Sequence, residues 1–235
     1  MRNNISIVIP IYNEEEILVT RVRELNARLE DLFKDFEIIL TENGSVDNTK
    51  KIARELEKEM PRVKAIIDDG PGDYGQALVN GTNAAKFDDI TIFELDYMDY
   101  GFLENSNKML NEYDLIIGSK VIAKGMDQRP FKRKVFTMLY NTLLRTTFRV
   151  PLSETHGLKT FKKGKLNHIT NGCVTRNAVW PSEFCIRACR DKNLKVTEIP
   201  VTIPLREIRT TRIKAMKRLK KTVDDILLLR KSING

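Results

Sequence analysis

Residues 5–14 read Ile5-Ser6-Ile7-Val8-Ile9-Pro10-Ile11-Tyr12-Asn13-Glu14. So continuous an apolar run is expected of a strand buried on both faces. Pro10 cannot donate to a ladder, so pairing is expected to end there. Tyr12 and Asn13 are then left at the mouth of a sheet, ahead of a helix N-terminus, a position that suits an anionic or aromatic ligand.

The same grammar repeats outward from this strand. Glu14–Lys34 has helical spacing, with Ile17, Val22, Leu25, Leu29 and Leu32 facing inward. Phe36–Leu40 is a second strand, followed by the turn Glu42-Asn43-Gly44-Ser45, and Asp47 is the expected N-cap of a helix to about Glu59. Val63–Ile67 is a third strand. Gly70-Pro71-Gly72 breaks the chain, Tyr74–Lys86 is a third helix, and Ile90–Leu95 is a fourth strand. This βαβαβαβ order predicts an α/β fold, an open and mostly parallel sheet with helices on both faces. Ligands of such sheets bind outside the carboxyl ends of the strands.

The second half is less regular. Asp114–Ser119 is a strand, and Phe131–Arg149 a basic amphipathic helix with Phe131, Val135, Met138, Leu139, Leu143 and Phe148 on one side. Leu152–Phe161 is a loop-to-strand passage, Glu183–Lys192 a helix and Lys195–Ile203 a strand. Arg206–Lys231 closes the chain as a basic amphipathic helix, with an apolar stripe of Ile213, Met216, Leu219, Val223, Ile226 and Leu227. The expected division is a catalytic domain over 1–205, with a first half 1–114 and a second half 115–205, and a terminal helix over 206–235.

The chain has 235 residues and a formal charge of +8. The charge is uneven. Segments 115–150 and 206–231 each carry +7, which leaves −6 on the rest. Two basic segments on an acidic body call for an anionic partner: nucleic acid, membrane surface or phosphorylated substrate. No RRM aromatic signature, zinc spacing or helix-turn-helix pattern is present, and the strand ends are acidic, so specific nucleic-acid binding is not expected. A nucleotidyltransferase is disfavoured too, because Pro10–Glu14 is not a glycine-rich basic loop. Cys173, Cys185 and Cys189 are too few and too close for a disulfide framework, which points to a reducing cytosol. The first apolar run is short and broken by Pro, unlike a signal peptide, and no stretch reaches the ~20 apolar residues of a membrane span. Any membrane contact is therefore expected to be peripheral, on the cytoplasmic face.

Chemistry is expected at the strand ends. Glu42 can accept from the N–H edge of a nucleobase, although Asn43-Gly44 is also simply a good turn. Glu94 and Asp96 are two apart on an expected strand, about 7 Å along it and on one face. Two such carboxylates suit Mg²⁺ or Mn²⁺ with phosphates completing the shell, or else form a solvated acidic loop. Lys120, Lys124, Arg129, Lys132, Arg133 and Lys134 make a cluster suited to phosphate, or a solvated helix start. Glu154 and His156 are the alternatives for a general base, should the acceptor be a hydroxyl.

Taken together, Pro10-Ile11-Tyr12-Asn13-Glu14, the Glu42-Asn43-Gly44-Ser45-Val46-Asp47 turn and the acidic stretch Glu94-Leu95-Asp96 resemble family-2 glycosyltransferases of the GT-A fold. Tyr74-Gly75-Gln76-Ala77 is similar to that family's glycine turn, and Gly118-Ser119-Lys120 to its Gly-Ser-Arg. Glu154-Thr155-His156-Gly157-Leu158-Lys159 and Glu198-Ile199-Pro200-Val201 resemble the polyprenyl-phosphate subgroup, which includes dolichyl-phosphate sugar synthases. The likeness covers about residues 5–212. It implies an inverting, metal-dependent transferase that moves a sugar from GDP-mannose or a UDP-sugar to a polyprenyl or dolichyl phosphate. It implies donor contacts at Pro10, Tyr12, Asn13, Glu14, Glu42, Gly75 and Gln76, with Arg206, Arg209 and Arg212 closing over the diphosphate. It implies Mg²⁺ or Mn²⁺ at Glu94 and Asp96, and acceptor phosphate at Lys120, Arg133 and Lys134. Asp96, Glu154 and His156 are the implied catalytic set. A family-2 enzyme with a hydroxyl acceptor and a non-enzymatic polyanion-binding relative are the alternatives. The terminal basic helix is expected to lie on an anionic membrane, or to dock on the body or a second subunit.

Overall fold

The computed structural model describes residues 2–70, 72–122, 131–202 and 215–234. The strands are β1 (Arg2–Ile11), β2 (Phe33–Asn43), β3 (Val63–Asp68), β4 (Asp89–Ile92), β5 (Leu115–Ser119), β6 (Lys159–Lys162) and β7 (Val196–Pro200). The helices are α1 (Leu18–Leu32), α2 (Thr49–Glu59), α3 (Tyr74–Ala84), α4 (Tyr100–Met109), α5 (Phe131–Phe148), α6 (Lys163–Gly172), α7 (Trp180–Arg190) and α8 (Ala215–Asn234). They build one seven-stranded sheet in the order β3-β2-β1-β4-β6-β5-β7. Every pairing is parallel except those of β6, which runs antiparallel between β4 and β5.

The run from Ile5 to Ile11 behaves as a doubly buried strand should. Ile5, Ile7, Ile9 and Ile11 pack under α1, α2 and α4, while Val8 joins the opposite core with α3, α5, α6, α7 and α8. Ile38 and Leu40 on one face and Ile39 on the other do the same for β2. The two layers of helices follow from this period of two. β1 pairs β2 on one side and β4 on the other, so the chain reverses direction of travel at β1 and β4. A crevice at the carboxyl ends is expected at that switch point.

Several local expectations change. β4 ends at Ile92, so Glu94 and Asp96 lie in a tight turn beyond the strand, where Tyr97 N–H donates to Glu94 O at 3.0 Å. Asp47 does not cap α2 from the N-cap position, which Asn48 occupies; instead Asp47 Oδ1 accepts from Thr49 N–H at 2.9 Å. On α5 the buried stripe is Asn141, Leu144 and Phe148, whereas Met138, Leu139 and Leu143 are exposed. In α8, Ile226 and Leu229 are buried against the body and Leu227 is exposed. Ser232 Oγ donates to Glu183, and Arg187 donates to Ser232 O at 2.8 Å, so this end of the terminal helix is docked. Cys185 and Cys189 lie on α7 as small packing residues, Cys185 fully buried. Among the described residues, no helix is long and apolar enough to cross a membrane.

Candidate active site

The switch point holds a cleft of about 290 Å³, lined by Pro10, Ile11, Tyr12 and Glu14 after β1, Asn43 at the end of β2, Gly72, Tyr74 and Ala77 at α3, and Glu94 after β4. Its rim is laced across the strand ends. Asn13 takes a positive φ of 53°, which Asn tolerates better than most residues. There its N–H donates to Ser45 Oγ at 3.0 Å, while its Oδ1 accepts from Val46 N–H at 2.9 Å. Glu14 N–H donates to Thr49 Oγ1 at 2.7 Å. Asn43 Oδ1 accepts from Asp73 N–H and so fixes the start of α3. Tyr12 stands 53% exposed at the mouth, an open ring face for a planar ligand.

Glu42 ends β2 with 1% exposure. Its Oε1 accepts from Ser45 N–H at 2.5 Å, while Oε2 is buried without a hydrogen-bond partner and lies 3.9 Å from Lys50 Nζ. The predicted donor residues Gly75 and Gln76 face elsewhere. A Cβ on Gly75 would lie 2.5 Å from Trp180 Cβ and 2.7 Å from Arg176 O, so this glycine is required for close packing of α3 on the 173–180 segment. Gln76 N–H donates to Arg176 O at 2.8 Å and its side chain to Asn80 at 2.7 Å. Their neighbours Tyr74 and Ala77 line the cleft instead.

On the far side of the cleft sits an ionic cluster. Tyr74 Oη donates a short hydrogen bond to Glu94 Oε1. Burial pushes the Glu94 carboxyl up from its ordinary pKa, nearby Asp96 adds to this, and Tyr74, Lys159 and Lys120 oppose it. Burial likewise raises the Tyr74 phenol, and Glu94 adds to it. Glu154 is 2% exposed; its Oε1 accepts from Thr155 N–H at 3.0 Å and His156 N–H at 2.9 Å, and its Oε2 has no hydrogen-bond partner. Burial alone would raise its pKa, but Lys120 and His156 hold it below the ordinary value.

Lys159, on β6, is 2% exposed and donates to Gly157 O at 2.7 Å. Burial lowers its pKa, against the pull of Glu154 and Glu94. It was legible only as part of a motif. An antiparallel strand inserted between β4 and β5 is what brings it within electrostatic reach of both carboxylates. The same insertion seats Gly157 on β5, where a Cβ would lie 1.8 Å from Gly118 O.

The His156 ring is not among the residues that line the cleft; it meets Tyr140 edge-on at 5.5 Å. Its Nε2 is 3.1 Å from Ala178 O, a carbonyl that can only accept, so Nε2 carries the proton; Nδ1 then accepts from Thr155 Oγ1 at 3.2 Å. Surrounding protein lowers its pKa from the ordinary value, Glu154 opposes this, and Lys159 adds to the lowering. A neutral ring with both nitrogens engaged holds a loop in place. It offers no lone pair to a substrate proton unless the Thr155 contact breaks.

Lys120 is half-buried at the end of β5, and Lys134 is exposed on α5. The Arg133 side chain, Lys124, Arg129, Arg206, Arg209 and Arg212 lie outside the described residues. Sequence reasoning placed Glu183 only at the start of a helix and gave it no further part. It is fully buried and accepts from Val174 N–H, Thr175 N–H, Thr175 Oγ1, Arg187 Nε and Ser232 Oγ. It thereby anchors the segment that contacts both α3 and His156.

Comparison with known proteins follows the same outline. The model of glycosyl transferase family 2 matches residues 6–174. The chain belongs to this family. It is 30% identical over 203 residues to glycosyltransferase AglD of Haloferax volcanii, covering 84% of this chain and 32% of that protein. It is 28% identical over 142 residues to the uncharacterized glycosyltransferase YkcC of Bacillus subtilis, covering 59% of this chain and 43% of that one. The chain thus spans less than half the length of these relatives. Among solved structures, glucosyl-3-phosphoglycerate synthase from Mycobacterium tuberculosis, in complex with Mn²⁺, UDP and glucosyl-3-phosphoglycerate, superposes with a TM-score of 0.61 at 15% identity, over 98% of this chain and 80% of that one. Mannosyltransferase PcManGT from Pyrobaculum calidifontis, with GDP-Man and Mn²⁺, gives 0.54 at 16% identity, over 88% and 59%. These identities speak to the fold, which is the expected GT-A fold with its mixed, mostly parallel sheet.

Proposed function

We propose that this family-2 glycosyltransferase moves a sugar, with inversion, from a nucleotide diphosphate sugar to a polyprenyl or dolichyl phosphate. The observation that carries the reading is the meeting of opposite charges across the cleft: Glu94, from the donor side, is within electrostatic reach of Lys120 and Lys159 on the other side. The donor lies over Pro10, Tyr12 and Glu14, with its base toward Glu42. Glu94 and Asp96 are oxygen donors, the ligand type Mg²⁺ and Mn²⁺ prefer, and their mutual crowding is what a cation relieves. Among the described residues no group of three or more His, Cys, Asp or Glu side chains converges on a metal position, so Glu94 and Asp96 would hold a cation only together with the donor phosphates. A bound cation neutralises charge on the departing diphosphate.

A phosphate acceptor is already ionised at neutral pH and needs cations rather than a base. Lys120, Arg133 and Lys134 hold it, with one of its oxygens forming the new bond at the anomeric carbon as the diphosphate leaves from the opposite side. The exposed Met138, Leu139 and Leu143 on α5 support a peripheral membrane contact beside these cations. A hydroxyl acceptor is the second reading, favoured by the unpartnered Oε2 of Glu154, which could take the hydroxyl proton. Thermal-shift screening of UDP- and GDP-sugars with Mg²⁺ and Mn²⁺, followed by transfer assays on polyprenyl phosphate, tests the proposal. Stabilisation by a nucleotide sugar that is lost in Asp96→Ala supports it; no response to any nucleotide sugar sinks it. Large loss of turnover in Glu154→Gln with intact donor binding favours the hydroxyl acceptor.

A further inference from the structure

Resting on the acceptor reading above, we propose that Tyr140 is a positioning residue for the acceptor phosphate: a chain of hydroxyls headed by Tyr140 fixes α5 to the loop 153–156 and so sets the spacing of Lys120 and Lys134. The two cations come from different elements, Lys120 directly after β5 and Lys134 on α5. The loop 153–156 reaches both elements. At one end Ser153 Oγ lies 2.7 Å from Ser119 Oγ, beside Lys120, and the same Ser119 oxygen accepts from Val121 N–H at 3.2 Å. The Ser153 and Glu154 N–H groups each donate to the Glu198 carboxylate at 2.9 Å, which pins the loop to β7.

At the other end the hydroxyls run in one direction. Ala178 O can only accept, so His156 Nε2 carries the ring proton and Nδ1 accepts. Thr155 Oγ1 therefore donates to Nδ1 at 3.2 Å and accepts from Ser182 Oγ at 2.9 Å. Ser182 Oγ in turn accepts from Tyr140 Oη at 3.2 Å, which makes Tyr140 the head of the chain. Burial pushes its phenol up to about 12, so it is a neutral donor at working pH. Ser182 is fully buried and Thr155 is 2% exposed, so water does not readily replace a lost link. Thr155 and His156 also carry the N–H groups that hold Glu154 Oε1, so the same chain steadies the buried carboxylate. Lys134 stands about 9 Å from Tyr140 along one helix, and a helix tied at Tyr140 carries Lys134 with it.

The test is steady-state transfer from the nucleotide sugar that stabilises the chain to a short-chain polyprenyl phosphate. It compares the full chain with Tyr140→Phe, which keeps the ring and loses the hydroxyl, with Ser182→Ala, and with the double variant. Tyr140→Phe should raise KM for the polyprenyl phosphate about five- to tenfold, the scale of one hydrogen bond, while kcat moves by less than about twofold. Ser182→Ala should act in the same direction. Adding Tyr140→Phe to it should cost nothing more, because the link from Tyr140 is already gone. Calorimetric titration with the nucleoside diphosphate and melting temperatures separate this split from a general loss of fold. An unmoved KM in Tyr140→Phe, full additivity in the double variant, or a matching loss of nucleotide affinity overturns the positioning role and leaves the acceptor reading standing. A wild-type chain that binds a nucleotide sugar and transfers nothing to polyprenyl phosphate overturns both.

Discussion

The two sides of the cleft are built on different principles. The donor side is held by backbone: strand ends, the Asn13 to Ser45 lacing and the Asn43 to Asp73 link set its shape through N–H and carbonyl geometry. The proposed acceptor side is held by charge: the buried Lys159 and Glu154 and the half-buried Lys120 balance one another and the Glu94 carboxylate that reaches them from the donor side. Loss of a buried ionic partner on the second side is therefore expected to cost more stability than a side-chain change that spares the backbone of the first. The 173–180 segment, anchored by Glu183, is the seam between them.

Changes at four positions break or sharpen this contrast. Asp96→Ala should cost on the order of 10³-fold in turnover, in sugar transfer and in hydrolysis of the donor alike, because charge on the leaving diphosphate is common to both. Assays of both reactions on one preparation check it. Glu183→Ala strips the seam of its carboxylate and should destabilise the chain by about 3–5 kcal/mol, read by denaturant unfolding.

The milder Glu183→Gln adds a pH signature. Hydrogen bonds hold the Glu183 pKa below its ordinary 4.5 against the effect of burial. Its stabilisation is thus complete above that value and fades as pH falls through the lower folded pKa. The stability gap between wild type and Glu183→Gln should accordingly narrow as pH drops below 4.5. A gap that widens there would mean the carboxyl is not held ionised.

Gly75→Ala drives a Cβ into Trp180 and the Arg176 backbone, and should cost about 1–3 kcal/mol in thermal unfolding. Donor binding is expected to suffer with it, since α3 carries Tyr74 and Ala77 into the cleft. The smallest effect is the most discriminating. Lys120→Met should reduce transfer to a lipid phosphate about tenfold, the loss of one charge-assisted contact, and spare donor hydrolysis. Equal loss in both assays would erase the distinction between the two sides.

Legibility divides along the same seam. β1 and β2 were readable because burial on both faces demands an unbroken apolar run, but pairing does not end at Pro10 as expected: β1 continues to Ile11, with Pro10 opposite Thr41 and Ile11 opposite Glu42 of β2. The setting of Glu94 and Asp96 was not legible: β4 stops at Ile92, and a tight turn replaces the expected strand. α6 went unseen because Lys163–Gly172 begins and ends near glycines and buries only Leu166, Ile169 and Thr170. Glu183 looked like an ordinary acidic residue early in a helix, since its five donors come from residues scattered between 174 and 232.

Sequence by itself determined the alternation of strands and helices, the residues that line a cleft at the strand ends and the excess of positive charge in two segments. These are local properties: periodicity, turn chemistry and composition each act within a few residues. Only the tertiary structure decided that β6 enters antiparallel, that Lys159 is buried within electrostatic reach of two carboxylates, and that the end of the terminal helix docks through Ser232. A buried charge is tolerated only where its partners converge, and that convergence joins residues such as 94, 154 and 159 that no local pattern connects.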